Sequence, residues 1–101
     1  MAHIMIIATL QLNDPTLLED WKDISAEISN DLKENAKGFI SRVSGVDEEG
    51  TIYCILEWEN RESSEAFMQT LPTRPDFMEK MANFSRVVDI QSMQKKTVDL
   101  F

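Results

Sequence analysis

In "HIMIIATLQL", residues 3–12, Ile4, Ile6, Ala8, Leu10 and Leu12 share one parity, while His3, Met5, Ile7, Thr9 and Gln11 share the other. A period of two with β-branched residues on the wholly apolar side predicts a strand with one face in a dry core. The period then changes. Leu17, Trp21, Ile24, Ile28 and Leu32 step by three and four residues and form one stripe of a helix. Asp14 suits the N-cap of that helix and Pro15 its first position, and Gly38 suits a left-handed stop. "FISRVSGVDEEGTIYCILEWE" predicts two strands joined through a turn at Gly50. Ile52, Cys54, Leu56 and Trp58 fall on one face of the second strand, and Thr51, Tyr53, Ile55 and Glu57 on the other. After N-cap candidates at Asn60 to Ser64, "EAFMQTL" predicts a helix interrupted by Pro72. A short helix then restarts near Pro75, its apolar side carried by Phe77, Met78, Met81 and Phe84. "RVVDIQSM", residues 86–93, alternates as a last strand, and residues 94–101 read as an extended C-terminal tail.

The predicted order is β-α-β-β-α-β, an α+β, ferredoxin-like domain over residues 1–101 with a four-stranded antiparallel sheet and its helices on one face. The other face carries Met5, Ile7, Thr9, Tyr53 and Ile55 beside Gln11 and Glu57. It is too apolar for water and too polar for a monomer's core. An apolar patch of this kind marks an interface, and a two-fold pairing of sheets would cover it, so a homodimer is expected.

Charge narrows the partners. With 10 basic and 18 acidic residues the net charge is −8, and no basic stripe offers a footing for nucleic acid or for an anionic membrane surface. No apolar run reaches the ~20 residues that span a bilayer. The first residues lack the basic flank and small-residue site of a signal peptide. The single Cys gives no disulfide framework, and a cytoplasmic setting is expected. One His and one Cys cannot assemble a transition-metal site of ordinary ligand spacing.

The element order, with "GF" after the long helix and Glu57-Trp58 followed by Ser64, Glu65, Ala66 and Phe67, resembles the antibiotic-biosynthesis-monooxygenase-like family of the dimeric α+β barrel superfamily. That resemblance implies a homodimer with two facing sheets and a pocket in each subunit between sheet and helices. It implies, for many members, oxidation of small aromatic or quinol substrates with no metal or flavin, the substrate itself reducing oxygen. A related haem-degrading branch shares the Trp at position 58 but uses an Asn on the first strand and a His on the second helix. The matching positions here are Ala8 and Met81, so haem degradation is disfavoured and no cofactor is expected.

The inward residues Trp58, Trp21, Cys54, Phe67, Met81 and Phe84 are the candidate pocket lining. Trp58 is either a core aromatic closing the sheet or the wall of a pocket for a flat ligand, its indole N–H free to donate. Met68, Met78, Met81 and Met93, with the neighbouring Phe residues, offer a soft apolar lining. Cys54 sits in an apolar strand that keeps the thiol protonated. His3 belongs to the mixed face, and no residue stands out as a catalytic base. Two functions stay open. One is a cofactor-independent monooxygenase-like enzyme; the other is a non-catalytic dimeric module that binds a small ligand or merely assembles.

Overall fold

The computed structural model describes residues 3–101. Strand β1 (Ile4–Leu12) leads into a 3-10 turn at Pro15–Leu17 and then into α1 (Leu18–Asn35). The Asp14 carboxylate accepts from the Thr16 backbone N–H at 2.8 Å and from the Thr16 hydroxyl at 2.7 Å. These bonds hold the Asp14 carboxyl below its usual range and satisfy donors that an uncapped helix start leaves orphaned. The start signal was therefore legible, although the first turn is 3-10 and not α. Trp21, Ile24 and Leu32 of the apolar stripe are buried.

Gly38 is needed twice over. Its φ of +85° belongs to the left-handed region, and a Cβ there would lie 2.5 Å from Ser63 Oγ. Strands β2 (Phe39–Val46) and β3 (Ile52–Trp58) form a hairpin. In its turn, Asp47 Oδ1 accepts from the backbone N–H groups of Glu49 and Thr51, both at 2.9 Å. Helix α2 (Arg61–Thr70) starts on Asn60, whose side chain accepts from Ser63 N–H at 2.8 Å. A 3-10 turn around Pro72 follows, and α3 spans Phe77–Val87. The second helical segment is thus two helices, and Val87, expected in the last strand, ends the second of them, fully buried.

Strand β4 (Val88–Asp99) corrects the expected tail. Residues 94–99 pair with β1 from Thr9↔Gln94 to Ile4↔Asp99, and the register slips between Thr9 and Gln11. At the slip Ser92 Oγ accepts from Gln11 N–H at 2.8 Å. "QKKT" reads as tail because it is polar, and it is polar because β4 is an edge strand, where lysines blunt pairing with other chains.

The four strands lie in the order β2-β3-β1-β4, with every pair antiparallel. One face carries Ile4, Leu10, Ile52, Cys54 and Trp58 and is covered by Trp21, Ile24 and Leu32 of α1, Phe67 of α2 and Val87 of α3. The opposite face carries Met5, Ile7, Thr9, Tyr53 and Ile55, brought side by side by the pairs Met5↔Glu57, Ile7↔Ile55 and Thr9↔Tyr53.

Candidate functional site

Under the helices the core divides in two. Trp58 and Phe67 join Ile4 and Leu32 in one cluster, with Phe39 packed against it. Trp21 and Cys54 belong to the other, with Leu10, Ile24, Ile52, Val87 and Val88, and Phe84 packed alongside. Met81 belongs to neither and is 41% exposed on α3. Met68, Met78 and Met93 are also exposed, Met78 to 77%, so the expected methionine lining faces outward. The physical reason is the phase of α3. Phe84 and Val87 define its inward side, and that turns Met78 and Met81 away from the sheet.

Trp58 is 2% exposed. Phe39 meets it edge-on with centroids 5.6 Å apart, and Phe67 tilts against it at 5.9 Å. Its indole N–H has no hydrogen-bond partner. The candidate pocket wall is thus sealed by rings on two sides.

The open space lies at the other end of the sheet, between α1 and the β2–β3 hairpin. A groove of about 290 Å³ is lined by Leu18, Trp21, Lys22, Ser25, Ala26 and Ser29 from α1 and by Arg42, Ser44, Gly45, Val46 and Ile52 from the hairpin. Its existence follows from β2. A register slip between Phe39 and Ser41 turns Arg42 to the helix side, opposite Leu56, and Ser44 opposite Cys54. Polar or short side chains there cannot fill the space that an apolar strand would occupy.

Arg42 organises this groove. Its Nη1 donates to Ser25 Oγ at 2.7 Å, Ser29 Oγ at 3.0 Å and the Ser25 carbonyl at 3.2 Å. Its Nη2 lies 3.5 Å from Cys54 Sγ, and Ser44 Oγ lies 3.6 Å from the same sulfur. All of these partners are neutral. By contrast Arg61 meets Asp99, Arg74 meets Asp31 and Arg86 meets Asp20. Among the described residues no carboxylate lies within ion-pair distance of Arg42. Lys22 stands on the groove wall with its Nζ 2.9 Å from Glu19. Of the candidate pocket residues expected from the sequence, Trp21 lines this groove and Cys54 lies against Arg42 without lining it, while Arg42, Ser25, Ser29 and Ser44 are not among the candidates. The available signal was that "FISRVSGV" has no wholly apolar parity, so one of its polar residues had to face the helices.

The uncovered face has a hollow of about 330 Å³ around Gly45, edged by Val43, Tyr53 and Ile55. There the Tyr53 hydroxyl donates to Asp47 Oδ2 at 3.1 Å. That hydrogen bond, with the Asp47 charge, pushes the Tyr53 hydroxyl up from its ordinary value. The Asp47 carboxyl is held down, chiefly by the Thr51 backbone N–H. His3 Nδ1 and Glu57 Oε2 lie 3.0 Å apart further along the sheet. Among the described residues no group of three or more His, Cys, Asp and Glu is placed to hold a metal ion, and no helix is long and apolar enough to cross a membrane.

No protein-family profile matches the sequence, and no curated protein matches it. Solved structures do match. A provisionally named antibiotic biosynthesis monooxygenase from Caulobacter crescentus superposes with a TM-score of 0.79 at 13% identity, covering 99% of this chain and 91% of the other. A dimeric ferredoxin-like protein from an uncultured marine organism gives 0.76 at 14% identity over 100% and 90% of the two chains. SnoaB, a cofactor-independent oxygenase from Streptomyces nogalater, gives 0.70 at 10% identity over 100% and 95%. The described residues therefore have the ferredoxin-like α+β fold of the antibiotic-biosynthesis-monooxygenase-like structures.

Proposed function

We propose that this chain is the protomer of a homodimer that binds a small aromatic or quinol compound in the α1–β2 groove and oxidises it with molecular oxygen. The groove carries the reading: a partly open site of about 290 Å³, with Trp21 on its wall and the Arg42 guanidinium among its lining groups. Likeness of fold to a cofactor-independent oxygenase supports the reaction class. In that chemistry the substrate is the reductant. A ring methylene and O₂ become a carbonyl and water, with one oxygen atom entering each product.

The residues lining the groove include no carboxylate and no imidazole, so none of them is a strong base. The protein's part is to favour the ionised substrate through Arg42 and to orient it in the groove. The bare face with Met5, Ile7, Thr9, Tyr53 and Ile55 supports the dimer, and the dimeric neighbour agrees with it. We place the protein in the cytoplasm, where the free thiol of Cys54 stays reduced.

The test is oxygen consumption by purified protein across a panel of quinols and anthrones. Catalysed uptake with matching product supports the enzyme. Uptake no faster than buffer across the panel rejects it in favour of the second reading, a non-catalytic dimeric ligand-binding or assembly module. One observation favours that second reading: the space around Trp58 is filled by Phe39 and Phe67 and not left for a ligand.

A further inference from the structure

The groove is cationic in a chain that is strongly anionic. With 18 acidic residues against 10 basic ones, a groove lined at random would meet acids more often than bases. Its charged lining residues are instead Lys22 and Arg42 alone. Lys22 already has Glu19 beside it. Arg42 is held by two serine hydroxyls, a carbonyl and a thiol, which fix the guanidinium without neutralising it. Nη1 has only two hydrogens for its three oxygen acceptors, so its side of the guanidinium is fully engaged. A partly buried, uncompensated guanidinium is costly unless something anionic completes it. The volume limits what that can be. About 290 Å³ is roughly twice the ~150 Å³ of a cavity that takes benzene.

We infer that Arg42 receives the ionised oxygen of a small aromatic anion, a carboxylate or a phenolate, whose ring lies beside Trp21. The inference rests on the groove being the ligand site, and it does not require that oxidation occurs. Ser25 and Ser29 are positioning residues that aim the guanidinium, and the pairing itself is charge-assisted.

The test is a nitrogen-15 NMR titration of the intact protein with benzoate, 4-nitrophenolate, benzamide and acetate. Benzoate and 4-nitrophenolate separate the carboxylate from the phenolate source; benzamide removes the charge and acetate removes the ring. Either ringed anion should shift the Trp21 indole and Arg42 Nε signals in a saturable way and leave the Trp58 indole in place. It should bind at least roughly tenfold more tightly than benzamide or acetate. Arg42→Gln should abolish that preference, and Arg42→Lys should keep part of it. If Arg42→Gln does not fold, the Arg42→Lys variant and the wild-type benzoate-to-benzamide ratio decide. No saturation by about 10 mM for either anion overturns the inference. So does an unmoved Arg42 signal, or a benzamide affinity equal to that of benzoate. Anion binding without oxygen uptake would reject only the oxidation, whereas oxygen uptake without anion selectivity would reject only this inference.

Discussion

The two tryptophans lie in the same layer between sheet and helices, Trp58 from β3 and Trp21 from α1, and exposure does not separate them: Trp58 is 2% and Trp21 is 3% exposed. Their neighbours do. Around Trp58 the opposing positions are Phe39 and Phe67, large enough to close on the indole from two sides. Around Trp21 one side is closed by Phe84, with centroids 6.2 Å apart. The hairpin side offers Arg42, Ser44 and Gly45. An aromatic residue makes a site only where its partners across the layer are too small or too polar to fill the gap. The arginines show the same contrast. At the closed end Arg74 lies over the Phe67 ring at 5.4 Å and is paired with Asp31, while at the open end Arg42 has only neutral partners.

The sharpest way to break this contrast is Trp58→Ala. Truncating a fully packed indole leaves a cavity, and the expected loss is about 3–5 kcal/mol, a large share of the ~5–15 kcal/mol of a typical domain. Urea unfolding at fixed protein concentration measures it, since dimerisation would shift the midpoint. The fold near Arg42 should persist in the folded fraction, with benzoate binding unchanged. A small loss of stability together with weakened ligand binding would make the Trp58 end a pocket after all, as its flat ring first suggested.

Patterning made the fold readable and left the site mostly hidden. The stripe Leu17–Trp21–Ile24–Ile28–Leu32 and the parity of Ile52, Cys54 and Trp58 record burial directly, because a helix or strand with one dry face must repeat apolar residues at its own period. The groove arises from an exception to that rule. The slip between Phe39 and Ser41 reverses the parity of β2, so an arginine takes an inward position that alternation from Phe39 would have assigned to its neighbours. The mixed parities of "FISRVSGV" show that a polar residue must face inward, but not where the slip falls or that Arg42 is the residue it turns in. The end of β4 was obscured differently: pairing between backbones at an edge makes no demand on side chains, so the polar "QKKT" carries no strand signal.

The two faces of the sheet extend the comparison. The helix-covered face finds its cover within one chain, and the bare face is where we propose that a second copy packs. Sedimentation of the wild-type protein at micromolar concentration should give about twice 11.6 kDa. Tyr53→Glu places a charge among Val43, Ile55 and Thr9 and beside the carboxylate of Asp47. The expected effect is a rise of roughly tenfold or more in the dissociation constant, about 1.4 kcal/mol or more. Far-UV circular dichroism should stay close to wild type, because Tyr53 is outside the helix-covered core. A wild-type monomer at that concentration would remove both the interface and the barrel.

The smallest effect tests the closed end through its ion pair. Arg74 Nη1 donates to both carboxylate oxygens of Asp31 at 2.7 Å, and Asn35 donates to Oδ1 at 2.7 Å. Partial burial pushes the Asp31 carboxyl up, but the hydrogen bonds from Arg74 and Asn35 and the charges of Arg74 and Lys80 outweigh it, and the group lies below its ordinary value of 3.8. A carboxyl depressed on folding contributes stability that is fully present above the unfolded value and lost as pH falls through the folded one. Asp31→Asn keeps the shape and one acceptor but loses the charge. The expected cost is about 1 kcal/mol at about pH 7, shrinking at about pH 3 as the wild-type group takes up its proton. Urea midpoints of both proteins at the two pH values measure it. Asp14 and Asp47, also depressed, titrate alike in both proteins and cancel in the difference. An equal gap at both pH values would assign the loss to altered packing between α1 and the Arg74 turn. A gap that closes in acid would identify the pair as an electrostatic clamp on the sealed end, the counterpart of the uncompensated Arg42 at the open one.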